Sequence, residues 1–121
     1  LIEAVGIVGW VEEEGLIDAV TAMSGSGPAY VFLLAEALAA AGIAAGLPPD
    51  MAERFARATV TGSGELLAQS PLPPAELRRN VTSPKGTTAA ALAVLMAEDG
   101  LGPLLEKAVA AAKRRAEELA G

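Results

Sequence analysis

Val81-Thr82-Ser83-Pro84-Lys85-Gly86-Thr87-Thr88 is the stretch of this chain where hydroxyls, a proline, a cation and a glycine crowd into eight residues. It runs straight into residues 89–96, an uninterrupted helix-forming segment built on alanine and leucine. Ser83 precedes a proline, which pushes its backbone towards the extended region. Gly86 reaches backbone angles that residues with a Cβ avoid. Thr87 or Thr88 then suits the N-cap of the following helix. A loop that feeds a helix start presents free backbone N–H groups and the positive end of the helix dipole, a combination suited to a carboxylate or phosphate. On these residues alone, a capped helix start that holds no ligand reads equally well.

Upstream of this loop the chain is helical, punctuated by glycine and proline. Residues 74–80 form a short helix, set off by the Ser70-Pro71-Leu72-Pro73-Pro74 break. Before that break, Asp50 opens a helix in which Met51, Phe55, Thr59, Gly62 and Leu66 recur every three or four residues, as one apolar stripe requires. Gly62 and Gly64 each weaken it by about 1 kcal/mol relative to alanine. Close packing against another backbone is the expected compensation.

Residues 28–45 form another helix, with Pro28 in its first turn and Glu36 as its single charge. A helix apolar all round is buried in protein or spans a membrane. Glu36 near the middle would cost about 2.5–3.5 kcal/mol to insert, and no Lys or Arg flanks the segment, so burial in protein is the expectation. Leu16, Ile17, Val20 and Met23 place the first helix over 14–23, with Glu12 to Glu14 near its positive end. Ser24-Gly25-Ser26-Gly27 reads as a tight turn between those two helices. Downstream of the loop, a helix over 88–98 gives way at Gly100 and Gly102. The last helix starts near Pro103, with Leu101, Leu104, Leu105, Ala108, Ala112 and Leu119 along one face. The expected fold class is all-α, with about six helices.

The first eleven residues depart from this pattern. Leu1 to Val5 read as the last turn of a helix closed by Gly6, and Ile7, Val8, Trp10 and Val11 as a short strand. A lone strand is unstable in water. Residues 1–11 are therefore expected to be the remnant of a preceding α/β domain, and 12–121 a helical domain.

Composition narrows the chemistry. The chain has 121 residues, a single-domain length. It is 52% apolar but only 3% aromatic, so its apolar surface is mostly alanine, leucine and valine, and helices of this kind approach one another closely or pack on a partner chain. A net charge of −6 argues against a nucleic-acid surface, which requires a basic patch. No cysteine or histidine is present, which excludes disulfides, thiolate nucleophiles, histidine acid–base schemes and the usual zinc sites. No metal is expected. Gly25-Ser26-Gly27 lacks the third glycine of a dinucleotide fingerprint, with Tyr30 at that place, and it follows a helix rather than a strand. Tyr30 on an apolar face reads as core. No set of residues here could transfer a hydride or hydrolyse a bond unaided.

Three segments in order carry a family resemblance: Ser24-Gly25-Ser26-Gly27-Pro28-Ala29-Tyr30, then Gly46-Leu47-Pro48, then Leu77 leading into residues 81–88. Together they resemble pyrroline-5-carboxylate reductase over nearly the whole chain, and specifically the C-terminal half of that enzyme. The resemblance implies the helical dimerisation fold shared with the C-terminal domain of 6-phosphogluconate dehydrogenase. It implies a homo-oligomer built on an intertwined dimer, with a larger ring of dimers left open as an alternative. It implies reduction of 1-pyrroline-5-carboxylate to L-proline, the last step of proline biosynthesis. The cofactor, NADPH or NADH, would be bound mainly by an N-terminal Rossmann domain absent from these residues, and the chain alone would be inactive.

By the same resemblance Ser83, Gly86 and Thr87 hold the substrate carboxylate, and the Thr88 hydroxyl approaches the ring nitrogen. Thr88 is thus both substrate-binding and the catalytic candidate. Lys85 stands where the family commonly has glycine. No cofactor-binding residue is assigned in this chain. The partners implied are a second copy and a small-molecule substrate, without nucleic acid or membrane, in the cytoplasm. The competing readings are a non-catalytic helical oligomerisation module and the helical domain of another NAD(P)-dependent dehydrogenase.

Overall fold

The computed structural model describes residues 2–4, 7–9 and 14–121. Two short strands, β1 (Ile2–Ala4) and β2 (Ile7–Gly9), precede six α-helices: α1 (Glu14–Val20), α2 (Gly27–Ala44), α3 (Pro49–Gln69), α4 (Pro74–Asn80), α5 (Thr87–Leu95) and α6 (Leu101–Ala120). The all-α expectation and its helix count hold.

The N-terminal segment differs from its sequence reading. Ile2–Ala4 is strand, not the end of a helix, and it pairs antiparallel with β2 in the register Ile2↔Gly9, Glu3↔Val8, Ala4↔Ile7. Five residues are too few to separate a helical from a strand period. Leu1, Val5, Gly6 and the 10–13 segment, including Trp10, Val11, Glu12 and Glu13, lie outside the described residues.

Contacts divide the chain into two compact units, Ala29–Arg79 and a second that joins Leu1–Pro28 to Asn80–Gly121. In the second unit α1 does not stop at a tight turn. It widens into a π-helical segment, Thr21–Gly25, in which the Ser26 N–H donates to the Thr21 carbonyl at 2.9 Å. The Ser24 hydroxyl donates to the Val20 carbonyl at 3.1 Å, and that of Ser26 to the Thr21 carbonyl at 3.3 Å. Hydroxyls that bond back onto the preceding turn loosen the regular ladder, and here they accompany the extra residue per turn. Helices α1 and α6 and the π segment pack on one another, and β1 lies against the π segment. On α6 the half-buried positions are Val109, Ala112, Lys113 and Ala116, whereas Leu101, Leu104, Leu105 and Leu119 of the expected apolar stripe are exposed.

The Ala29–Arg79 unit is a helical hairpin. Helix α2 ends in a left-handed residue, Gly46, at φ 113°. The Gly46 N–H donates to the Ile43 carbonyl and the Leu47 N–H to the Gly42 carbonyl, each at 3.0 Å. This C-cap satisfies carbonyls that the helix leaves open, and only glycine adopts its φ without strain. Leu47 folds back on Gly42, where an added Cβ would lie 3.3 Å from Leu47 Cδ1 and 3.4 Å from the Ala52 Cβ. The two helices therefore come close at Gly42 and Ala52. Pro49 occupies the first turn of α3, where its missing N–H is not needed.

The buried face of α3 is Ala52 and Ala56, one position over from the predicted stripe. Phe55 and Leu66 of that stripe are exposed, and nothing lies within 4 Å of a Cβ built on Gly62 or Gly64. The close packing expected at those glycines is thus absent among the described residues. Helix α2 buries no residue in its own chain and leaves Val31, Phe32, Leu33, Leu34, Leu38 and Ile43 exposed.

Candidate functional site

Pro84 and Lys85 form the corner of a four-residue turn closed by the Gly86 N–H donating to the Ser83 carbonyl at 3.0 Å. Proline at the first corner and a positive φ at the second is the pattern of a type II turn. Lys85 supplies that φ, 61°, and is the only non-glycine residue with positive φ among those described. Gly86 next to it is tightly enclosed: a Cβ there would lie 3.2 Å from the Ser83 carbonyl oxygen and 3.3 Å from the Ser83 Cβ. A side chain at 86 would require Ser83 to give way by a few tenths of an ångström.

The helix that follows is capped differently from the sequence reading. Neither Thr87 nor Thr88 is the N-cap. Gly86 takes that position at φ −87°, ψ −174°, without a side-chain cap bond, and Thr87 and Thr88 are the first two residues of α5. The reason is the turn itself, which spends Gly86 as the residue leaving it and so starts the helix one residue early. The Gly86 carbonyl accepts from Ala90 N–H at 3.2 Å, so the N–H groups of Thr87, Thr88 and Ala89 have no partner within the helix. A helix start that lacks a side-chain cap leaves these donors for solvent or a ligand.

Ser83, Gly86, Thr87 and Thr88 are brought together in this one turn and first helical step. The side chains of Ser83, Thr87 and Thr88 are exposed, and their hydroxyls engage no partner among the described residues. Lys85 is also exposed and in no ion pair among them. The turn thus gathers free N–H donors, hydroxyls and one cation, which suits a small anion. The structure brings no group of three or more metal-ligating side chains together among the described residues. Tyr30 is half-buried on α2, in the other unit.

Sequence reasoning did not single out a second feature. A groove of about 720 Å³ runs between α2 and α3 within the Ala29–Arg79 unit. Val31, Phe32, Ile43 and Val60 line it, together with Glu36, Glu53 and Arg57. Its signal in the sequence was the lone Glu36 on an apolar helix. Asp18, only 9% exposed on α1, was likewise not singled out.

Comparison with known proteins agrees with the helical fold. Residues 14–119 match the family described as pyrroline-5-carboxylate reductase dimerisation. The chain is 49% identical over 120 residues to a pyrroline-5-carboxylate reductase of Pseudomonas aeruginosa, covering 99% of this chain and 44% of that protein. It is 50% identical over 106 residues to one of Synechocystis, covering 88% and 39% respectively. Among solved structures, a pyrroline-5-carboxylate reductase from Coxiella burnetii superposes with a TM-score of 0.87 at 43% identity, over 95% of this chain and 42% of that one. The Plasmodium falciparum enzyme, solved with NADP bound, gives 0.82 at 34% identity over 91% and 42%. The chain spans less than half the length of these relatives. With that family matching nearly every helix in order, the chain belongs to the pyrroline-5-carboxylate reductase dimerisation family.

Proposed function

We propose that this chain is the dimerisation and substrate-binding part of a reductase that converts 1-pyrroline-5-carboxylate to L-proline with NADPH or NADH. The observation that carries the substrate half of this reading is the uncapped start of α5 behind the Ser83–Gly86 turn. The N–H groups of Gly86's successors, with the Ser83 and Thr87 hydroxyls, hold the carboxylate. An anion at such a helix start gains about 0.3–1 kcal/mol from the dipole, and up to about 2 kcal/mol where water is excluded. The Thr88 hydroxyl, one residue further along α5, faces the ring nitrogen of the bound imine acid. It fixes the imine's orientation and accepts a hydrogen bond from the protonated nitrogen.

A protonated cyclic imine is a good hydride acceptor, so this chain has to orient it rather than activate it. The reduced nicotinamide supplies the hydride, which adds to the imine carbon as the C=N π pair becomes the nitrogen lone pair of the amine. Gly25-Ser26-Gly27 does not make a dinucleotide loop, since it sits in and after a π-helical segment, not between a strand and a helix. The dinucleotide site is therefore assigned to the part of the reductase these residues do not span. Residues 1–11 are assigned to the junction with that part, the β1 strand resting on the π segment of the helical domain. The working compartment is the cytoplasm, where reduced nicotinamide is at hand.

The dimer half of the reading is carried by exposed area. The chain exposes 9203 Å². A compact monomer of this length exposes about 6,000 Å², and two separately compact halves about 7,000 Å². The surplus of about 2,000 Å² per copy matches what an obligate homodimer buries. Residues 15–44 are also long and apolar enough to cross a bilayer by length and composition. Asp18 and Glu36 within that stretch, and the dimerisation family itself, favour a second copy as the covering surface.

Titration of the isotope-labelled chain with L-proline tests the site. Amide shifts confined to residues 81–89 are expected, and a saturating titration that moves none of them argues against the carboxylate role. The chain alone is expected to show no turnover, and robust reductase activity of these 121 residues would overturn the assignment of the cofactor site elsewhere.

A further inference from the structure

The α2–α3 groove is mostly apolar and carries few charges. Glu36 is the only charge on α2, and Glu53 and Arg57 are the charges α3 contributes to the groove. Helices rise about 1.5 Å per residue. From the close approach at Gly42 and Ala52, Glu36 lies six residues back along α2 and Arg57 five residues on along α3. They therefore stand about 9 Å and about 7.5 Å from that point, at similar heights on the two walls. Glu36 is in no ion pair among the described residues. Arg57 is held only by Glu53, one turn behind it on α3, at 3.5 Å, with the two side chains 76% and 66% exposed. An exposed pair of this kind is worth little, so Arg57 is free to turn away from Glu53.

We propose that Glu36 and Arg57 form an ion pair across the floor of this groove when a second copy covers it, and that the pair sets how the second copy seats. The inference rests on the dimer reading above. A second copy is the occupant because the surplus exposed area matches an obligate homodimer, and because the groove's exposed Val31, Phe32 and Ile43 need an apolar cover. Once water is excluded, an isolated Glu36 or Arg57 is costly, whereas the two together compensate one another. Glu53 lies one turn closer to the hairpin end and keeps no partner role in the closed state.

A double-mutant cycle on the dissociation constant of the 121-residue chain tests this by sedimentation equilibrium, with circular dichroism to check that each variant keeps its helices. Glu36→Gln and Arg57→Gln are each expected to weaken the dimer at least tenfold, because each leaves the other charge buried alone. The double variant is expected within about threefold of the parent, and the swap Glu36→Arg with Arg57→Glu within about tenfold. Glu53→Gln should change the constant less than threefold. Both positions are exposed in the single chain, so none of these changes should unfold it. Additive losses, or no loss, in a chain that does dimerise would overturn the ion pair alone. A parent chain that stays monomeric at every concentration would overturn the dimer reading and the ion pair together.

Discussion

The Ser83–Gly86 turn and the α2–α3 groove lie in different units and are complete to different degrees. The turn is finished within one chain: its hydrogen bond is made, Gly86 is enclosed and the helix behind it begins directly at Thr87. The groove is unfinished. Its walls carry exposed phenylalanine, valine and isoleucine, and the fully covered side chains of the hairpin are only Ala52 and Ala56. The difference follows from the range of the forces involved. Turn chemistry acts over four residues, so a single chain can satisfy it. An apolar face is satisfied only by area removed from water, and this hairpin has nothing of its own left to supply that area.

The sharpest way to break the comparison is a charge on the groove wall. Phe32 is 71% exposed in the single chain, so Phe32→Asp should cost the monomer nothing. In the dimer it removes about 1.5–3 kcal/mol of apolar burial and adds an unpaired carboxylate. The dimer should weaken by at least about 100-fold, with helicity unchanged, as read by sedimentation equilibrium and circular dichroism. A dimer of parental affinity would show that α2 is not the covered surface.

A smaller effect is expected at the turn, and it should be chemical rather than structural. Thr88→Val keeps the shape of the side chain and removes the hydroxyl that we propose faces the substrate nitrogen. Loss of a hydrogen bond to a charged group corresponds to about 1.5–3 kcal/mol. In the complete reductase kcat/KM should therefore fall about 10- to 100-fold while the dimer and its melting temperature stay put. A wild-type rate would remove Thr88 from the catalytic assignment.

The same contrast explains what could be read from the sequence. The turn was legible because its signals are local: Pro84 before a flexible pair, hydroxyls on both sides and a helix-forming run behind. Even there the cap was misassigned, since threonine is the better cap by propensity but Gly86 is where the turn ends. The π segment was read as a break because nothing in Ser24-Gly25-Ser26 tells whether serine hydroxyls end a helix or widen it. On α3 the period was right and the face was wrong. Spacing says that Met51, Phe55 and Leu66 share a side, but not whether this chain or another covers it. Ala52 and Ala56 took the inner position because only small side chains fit where α2 and α3 meet.

Lys85 offers the finest test, because the turn is complete yet strained at one residue. A left-handed conformation costs a residue with a Cβ about 1 kcal/mol, and Lys85 sits there at φ 61°. Lys85→Gly removes that cost but gives back part of it as extra freedom in the unfolded chain. The net gain should be about 0.5 kcal/mol, a rise of a few degrees at most in melting temperature. Lys85→Met keeps the strain and removes only the charge, so its melting temperature should not move. If the cation attracts the substrate carboxylate, both variants should raise KM equally, by no more than about threefold for so exposed a charge. If Lys85 instead crowds the turn, only the glycine variant should change KM, and downward. Equal KM shifts with unequal melting temperatures would separate the backbone role of position 85 from its charge, and that is the outcome expected from its exposure and its φ.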